Sequence, residues 1–154
     1  MKNVLLVAAL AFAPVAQAQS KPDAVIGTWK LNVAKSKYEP GPAPKGTTLT
    51  FEVAGDGVKV SSKGEDASGK PTSTEYTAKY DGKDYPITGS QNADTVALKR
   101  IDARTQERTD KKGDKVVATS TRVVSADGKT MTVTTKGTNA QGQAVNNVAV
   151  WDKQ

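Results

Sequence analysis

Tight turns recur along the chain at short intervals, and they constrain its fold more than any other feature. Turn dipeptides stand at Asp56-Gly57, Asp81-Gly82, Gly113-Asp114 and Asp127-Gly128. Asp-Gly pairs supply the positive φ angles that two-residue hairpin turns require. The segments between them are rich in valine and threonine, whose branched side chains suit a pleated sheet. The pattern predicts consecutive hairpins in which each strand pairs with the next.

A barrel follows from the number of strands that this rhythm predicts. A long meander leaves two unpaired edges, and closing it into a barrel removes both. We therefore expect an all-β fold, an antiparallel up-and-down meander closed into a calycin-like barrel of about 8–10 strands. The strands are expected at Val25–Leu31, Thr47–Val53, Val58–Ser62, Thr72–Tyr80, Tyr85–Thr88, Thr95–Asp102, Arg104–Lys111, Lys115–Ser125, Thr130–Lys136 and Ala144–Asp152.

The N-terminal segment 1–18 has the pattern of a signal peptide. Lys2 provides a positive start, the stretch from Val4 to Ala13 is almost wholly apolar, and Ala16-Gln17-Ala18 matches a cleavage site. Cleavage after Ala18 would leave 19–154 as a single β-barrel domain. We expect the protein to be exported, to the periplasm or as a secreted protein.

The composition excludes several kinds of chemistry. The chain has no histidine and no cysteine, so it cannot build a Ser-His-Asp triad, a cysteine nucleophile, an imidazole or thiolate metal site, or a disulfide. The acidic residues stand mostly in turns or at outward positions, and no pair of them is singled out for acid–base work. The sequence predicts no enzyme, no catalytic residue, no cofactor and no metal.

The charge pattern excludes two classes of partner. The formal net charge is +6, from 22 basic and 16 acidic residues, but lysines alternate with acids and form no stripe with aromatic residues. No nucleic-acid partner is therefore expected. The apolar run of the signal peptide is too short to anchor the chain in a bilayer, and Lys30, Glu52 and Lys79 at outward positions exclude an apolar outer belt. No membrane span is expected.

Alternation within the strands predicts which residues face the interior. Few of the inward-facing residues are large, so the pattern favours a hollow barrel. Close packing of short side chains would give the same composition. The predicted interior residues are Val25, Gly27, Trp29, Leu31, Leu49, Phe51, Val53, Val58, Val60, Tyr76, Ala78, Tyr80, Val96, Leu98, Met131 and Val133.

The segment Arg104–Lys112 is polar on both faces. Either it forms a solvated edge, or its inner face lines a polar cavity. The second alternative matters because an inward arginine could hold an anionic group with two hydrogen bonds. Interleaved acidic residues favour a solvated outer face for the arginines of the chain, which are Arg100, Arg104, Arg108 and Arg122.

The first predicted strand carries a family resemblance. Gly27-Thr28-Trp29-Lys30-Leu31 resembles the Gly-x-Trp opening of the calycin superfamily, the lipocalins and fatty-acid-binding proteins. The segments Trp29–Tyr38 and Ser125–Thr132 resemble small exported bacterial lipocalin-like proteins. The resemblance implies a barrel whose first-strand indole plugs one end, with a ligand held inside.

The chain departs from those families in three places. The stretch 32–46, with Pro40, Pro42 and Pro44, stands where fatty-acid-binding proteins have a helical lid. We expect a surface loop there instead, because proline disfavours a helix. The family's Arg-x-Tyr pair on the last strand is replaced by Ala149 and Trp151. The last strand also has no arginine to pack on Trp29, and Arg122 is the nearest substitute.

Two functions are consistent with these features. The first is a non-enzymatic carrier or sensor that holds a small, mainly apolar or amphipathic molecule inside the barrel. The second is an interaction or inhibitor module for an envelope protein, with the proline-rich loop 32–46 as the binding element and Tyr38 as its anchor. For Trp29 a role as the plug of the barrel end competes with ligand contact. The ligand contacts predicted for the first function are Trp29, Phe51, Tyr76, Tyr80, Leu98, Met131 and Trp151.

Overall fold

A computed structural model describes residues 22–154, and the predicted signal peptide lies outside these residues. The described chain is all β, as predicted, and contains no helix long and apolar enough to cross a membrane. It forms ten strands: β1 (Gly27–Glu39), β2 (Gly46–Ala54), β3 (Gly57–Glu65), β4 (Pro71–Lys79), β5 (Tyr85–Thr88), β6 (Thr95–Arg100), β7 (Thr105–Lys112), β8 (Lys115–Val124), β9 (Thr130–Thr138) and β10 (Ala144–Lys153).

The strands form one closed antiparallel barrel in which neighbours along the chain pair with each other. Closure comes from β1, which pairs with β2 on one side and with β10 on the other, Leu31 lying opposite Trp151. β5 is the shortest strand and pairs at two positions on each side. The predicted fold class is confirmed.

The first strand differs from its prediction. β1 continues to Glu39 instead of ending at Leu31. An irregularity between Asn32 and Lys37 interrupts its pairing with β10. The Ser36 hydroxyl bridges this point by donating to the Asn32 carbonyl at 2.7 Å and accepting from the Val150 amide at 2.9 Å. The prediction of a loop over 32–46 is therefore wrong for its first half, and the prolines are confined to the connection between β1 and β2.

Large apolar side chains fill one half of the barrel, here called the closed half. Trp29, Phe51, Leu98, Val124 and Met131 are fully buried there. The alternation predicted most of this inner face correctly because one side of each strand is apolar. Val53 is an exception, being 63% exposed at the end of β2, where the strand passes beyond the core.

Trp29 is packed as a plug of the closed half. Its indole Nε1 donates to the Val25 carbonyl at 2.7 Å. The ammonium group of Lys153 lies 4.6 Å from the indole centroid and donates to the Ile26 carbonyl at 2.5 Å. The cation over Trp29 thus comes from Lys153 on the last strand, and not from Arg122.

Gly27 leaves the space that this arrangement needs. Its φ is +126°, and a Cβ atom built there would lie 2.8 Å from Cε and 2.9 Å from Nζ of Lys153. A side chain at this position would strain the backbone and push the lysine away from the indole. This explains the glycine of the Gly-x-Trp pattern in terms of this chain's own contacts.

Gly27→Ala should lower the free energy of unfolding by about 1–3 kcal/mol, the usual cost of a non-glycine residue in such a conformation. Urea denaturation followed by circular dichroism measures it. Gly46→Ala is the control, because Gly46 has ordinary φ and a Cβ atom added there would meet no atom within 4 Å. Equal stability of the two variants would contradict the role given to Gly27.

Candidate functional site

A cavity of about 310 Å³ occupies the other half of the barrel, here called the open half. Its apolar wall includes Leu49, Val60 and Val133, and hydroxyl groups such as those of Thr74 and Thr135 line it as well. The hollow barrel expected from the sequence therefore exists in one half only. The volume is at the lower end of the range of ligand pockets.

Arg122 on β8 is the central charged residue of this cavity. The strand alternates, so Ser120 and Arg122 face inward while Thr121 and Val123 face outward. Arg122 is only 4% exposed. Its Nη2 donates to the Tyr76 hydroxyl at 3.0 Å, and its guanidinium carbon lies 5.3 Å from the Phe51 ring centroid. The side chain is thereby held in place by groups from β2 and β4.

The other terminal nitrogen of the Arg122 guanidinium has no partner. Among residues 22–154, no group accepts a hydrogen bond from this buried Nη1. An unsatisfied buried donor costs about 1–3 kcal/mol, and more when it is charged. Arg122, which lines the cavity, therefore keeps one charged donor unsatisfied.

Trp151 on β10 brings a second donor to the same cavity. It is 7% exposed, and its buried indole Nε1 has no acceptor within the described chain. Indole nitrogen can only donate. Arg122 and Trp151 thus both line the cavity, and each keeps one donor without an acceptor.

Arg108 and Asp110 form an ion pair on the wall. Both face inward because they stand two residues apart on β7. Nε and Nη2 of Arg108 donate to the two carboxylate oxygens of Asp110 at 2.5 and 2.9 Å. The Arg108 guanidinium also lies 5.0 Å from the Tyr76 ring centroid. Arg108 is thus already neutralised, unlike Arg122.

These contacts correct the interpretation of the polar segment. The expectation of a solvated face is wrong for Arg108 and Arg122, which face the cavity, and right for the exposed Arg100 and Arg104. Period-two alternation along β7 does place Gln106, Arg108 and Asp110 on one face. The sequence alone could not decide which face, because the opposite face is polar too.

The predicted ligand contacts divide between the two halves. Tyr76 and Trp151 line the cavity. Trp29, Phe51, Leu98 and Met131 are packed in the closed half and do not line it.

Tyr80 also lies away from the cavity. Its ring is covered by the Arg100 guanidinium at 4.2 Å from the centroid, and its hydroxyl accepts from Gln106 Nε2 at 2.7 Å. Burial, reinforced by the nearby Asp23 carboxylate, raises the pKa of Tyr80 to about 12.

Tyr38 lies elsewhere than predicted. Placed by the sequence on an exposed loop, it belongs to β1 and lines the cavity opposite Asn147. Burial raises the pKa of its phenol, so the hydroxyl is uncharged at neutral pH and can donate a hydrogen bond. Tyr38 is therefore placed to contact an enclosed molecule and not to anchor an exposed binding loop.

The described residues offer no metal site. Within 22–154, no group of three or more acidic side chains is arranged to hold a metal ion. The cavity wall of mixed polarity thus includes Arg122 and Trp151, each with one unsatisfied donor, and the uncharged phenol of Tyr38.

Comparison with known proteins shows which solved structures have a similar fold. No family model and no curated protein matches the sequence. Among solved structures, a zebrafish ileal bile acid-binding protein complexed with cholic acid aligns with a TM-score of 0.54 at 15% identity, covering 85% of this chain and 99% of that one. A redesigned β barrel aligns with a TM-score of 0.52 at 14% identity, covering 88% of this chain and 99% of that one. The chain therefore shares the closed antiparallel barrel fold of these two structures.

Proposed function

We propose that this protein is a non-enzymatic binding protein that holds a small amphipathic anion in the open half of its barrel. The single observation that carries the proposal is the buried Arg122, whose Nη1 has no partner in a cavity large enough for a small molecule. The similar bile acid-binding protein is complexed with cholic acid, a small amphipathic acid, which supports this class of ligand.

The contacts suggest how such a ligand lies. Its anionic group would sit deep in the cavity, where Arg122 Nη1 and Trp151 Nε1 can donate to its oxygens. Its apolar body would pack against Leu49, Val60 and Val133. Burial of that body contributes roughly 25 cal/mol per Å² before the costs of ordering. Of the apolar and amphipathic ligands expected from the sequence, we therefore favour the amphipathic ones.

Decanoate and decanol test the charge requirement by isothermal titration calorimetry. Decanoate should bind the wild-type protein, and Arg122→Met should weaken it at least about tenfold because a charge-assisted hydrogen bond is lost. Decanol should respond much less to the substitution, because it carries no charge.

Arg104→Met is the matched control, since it removes the same charge from an exposed turn. It should leave decanoate binding unchanged. Equal loss in both variants, or tight decanoate binding by Arg122→Met, would contradict the proposal.

We also propose that the protein acts after export, in the periplasm or outside the cell. The support is the signal-peptide pattern of residues 1–18. N-terminal sequencing of the protein isolated from the cell envelope or medium should begin at Gln19. Isolation of the chain with an intact Met1 from the cytoplasm would contradict this.

A further inference from the structure

The cavity is lined by more positively charged than negatively charged side chains. Two are cationic, Arg108 and Arg122, and one is anionic, Asp110. Asp110 already occupies the Nε and Nη2 donors of Arg108 with both of its oxygens. One positive charge, that of Arg122, therefore remains without a counter-ion within the cavity wall.

We infer that Asp110 makes the cavity selective for singly charged anions. The inference rests on the proposed function and names the ligand class more closely. One negative charge at Arg122 brings the sum of the enclosed charges to zero. A second negative charge would be poorly solvated and would face the Asp110 carboxylate without a cation of its own. Asp110 is thus a specificity-determining residue that need not touch the ligand.

Arg122 and the Arg108–Asp110 ion pair are in contact with the same residue, Tyr76. The Tyr76 hydroxyl accepts a hydrogen bond from Arg122, and the Tyr76 ring lies against the Arg108 guanidinium. Asp110 is only partly exposed, with 18% of its side-chain surface accessible, so water screens it incompletely. Bringing like charges together at such a site is unfavourable enough to discriminate between ligands.

Octyl sulfate and octyl phosphate form a suitable pair of probes. They have the same length and a tetrahedral head of the same kind, but the phosphate carries close to two negative charges at pH 8, its second pKa being about 6. Calorimetry at pH 8 gives the ratio of their Kd values. The wild-type protein should bind octyl sulfate at least about tenfold more tightly than octyl phosphate.

Asp110→Asn tests the residue itself. Removing its charge frees Arg108, so the second charge of the phosphate gains a partner. The selectivity ratio should then shift at least about tenfold towards octyl phosphate. Glu107→Gln is the matched control, because it removes the same charge from the outward face of the same strand. It should leave the ratio unchanged.

A pH series on the wild-type protein covers the case in which Asp110→Asn does not fold. The charged and titratable groups lining the cavity are Arg108, Asp110, Arg122, Tyr38 and Tyr76. The chain has no histidine, so no imidazole titrates near neutral pH. Between pH 5 and pH 8 octyl phosphate should bind more weakly as it gains its second charge, while octyl sulfate should change little.

The outcomes separate this inference from the proposed function. If both probes bind with the same ratio in the wild type and in Asp110→Asn, or if octyl phosphate binds more tightly as the pH rises, the role of Asp110 is wrong and the binding function stands. If neither probe binds the wild-type protein, the proposed function fails and the inference fails with it.

Discussion

The pairing of β1 with β10 is the constraint on which the rest of the structure depends. It closes the sheet, and a closed sheet must turn every second residue of each strand inward. Along most strands these positions are apolar and pack together. On β7 and β8 they include arginine and aspartate, which closure forces into a place where water is scarce. The polar cavity thus results from the register of the strands together with the closure of the barrel.

The two halves of the barrel accommodate their inward-facing side chains differently. In the closed half, bulky side chains exclude water, and the cation Lys153 covers Trp29 from the end of the last strand. In the open half, threonines and serines are too short to fill the interior, which leaves a cavity around the charged groups. Buried charges are tolerated when they are paired and hydrogen-bonded. Arg108 meets that condition within the chain, and Arg122 meets it only in part.

The sequence predicted the strands well because their signals are local. Asp-Gly turns and alternating valine or threonine act over a few residues and do not depend on the rest of the fold. The extension of β1 was missed because residues 32–39 show no regular alternation of apolar and polar side chains, and because the pairing with β10 resumes only beyond the irregularity after Asn32. Such pairing joins parts of the chain that are distant in sequence, and no local sequence pattern predicts it.

The residues predicted as ligand contacts coincide with the cavity at two positions only. The sequence favours large apolar residues as ligand contacts, but large side chains are those that fill the closed half and leave no space. The cavity lies instead where serine and threonine stand among the larger lining residues. Tyr76 and Trp151 line the cavity because they stand at the boundary between the halves, where an aromatic residue has the core on one side and the cavity on the other.

A crystal structure of the protein with octyl sulfate would test the central claim most directly. We expect the sulfate group inside the barrel, with an oxygen within hydrogen-bond distance of Arg122 Nη1 and the alkyl chain against Leu49 and Val60. A sulfate at the mouth of the cavity with the alkyl chain pointing inward, or an Arg122 without contact to the ligand, would contradict it.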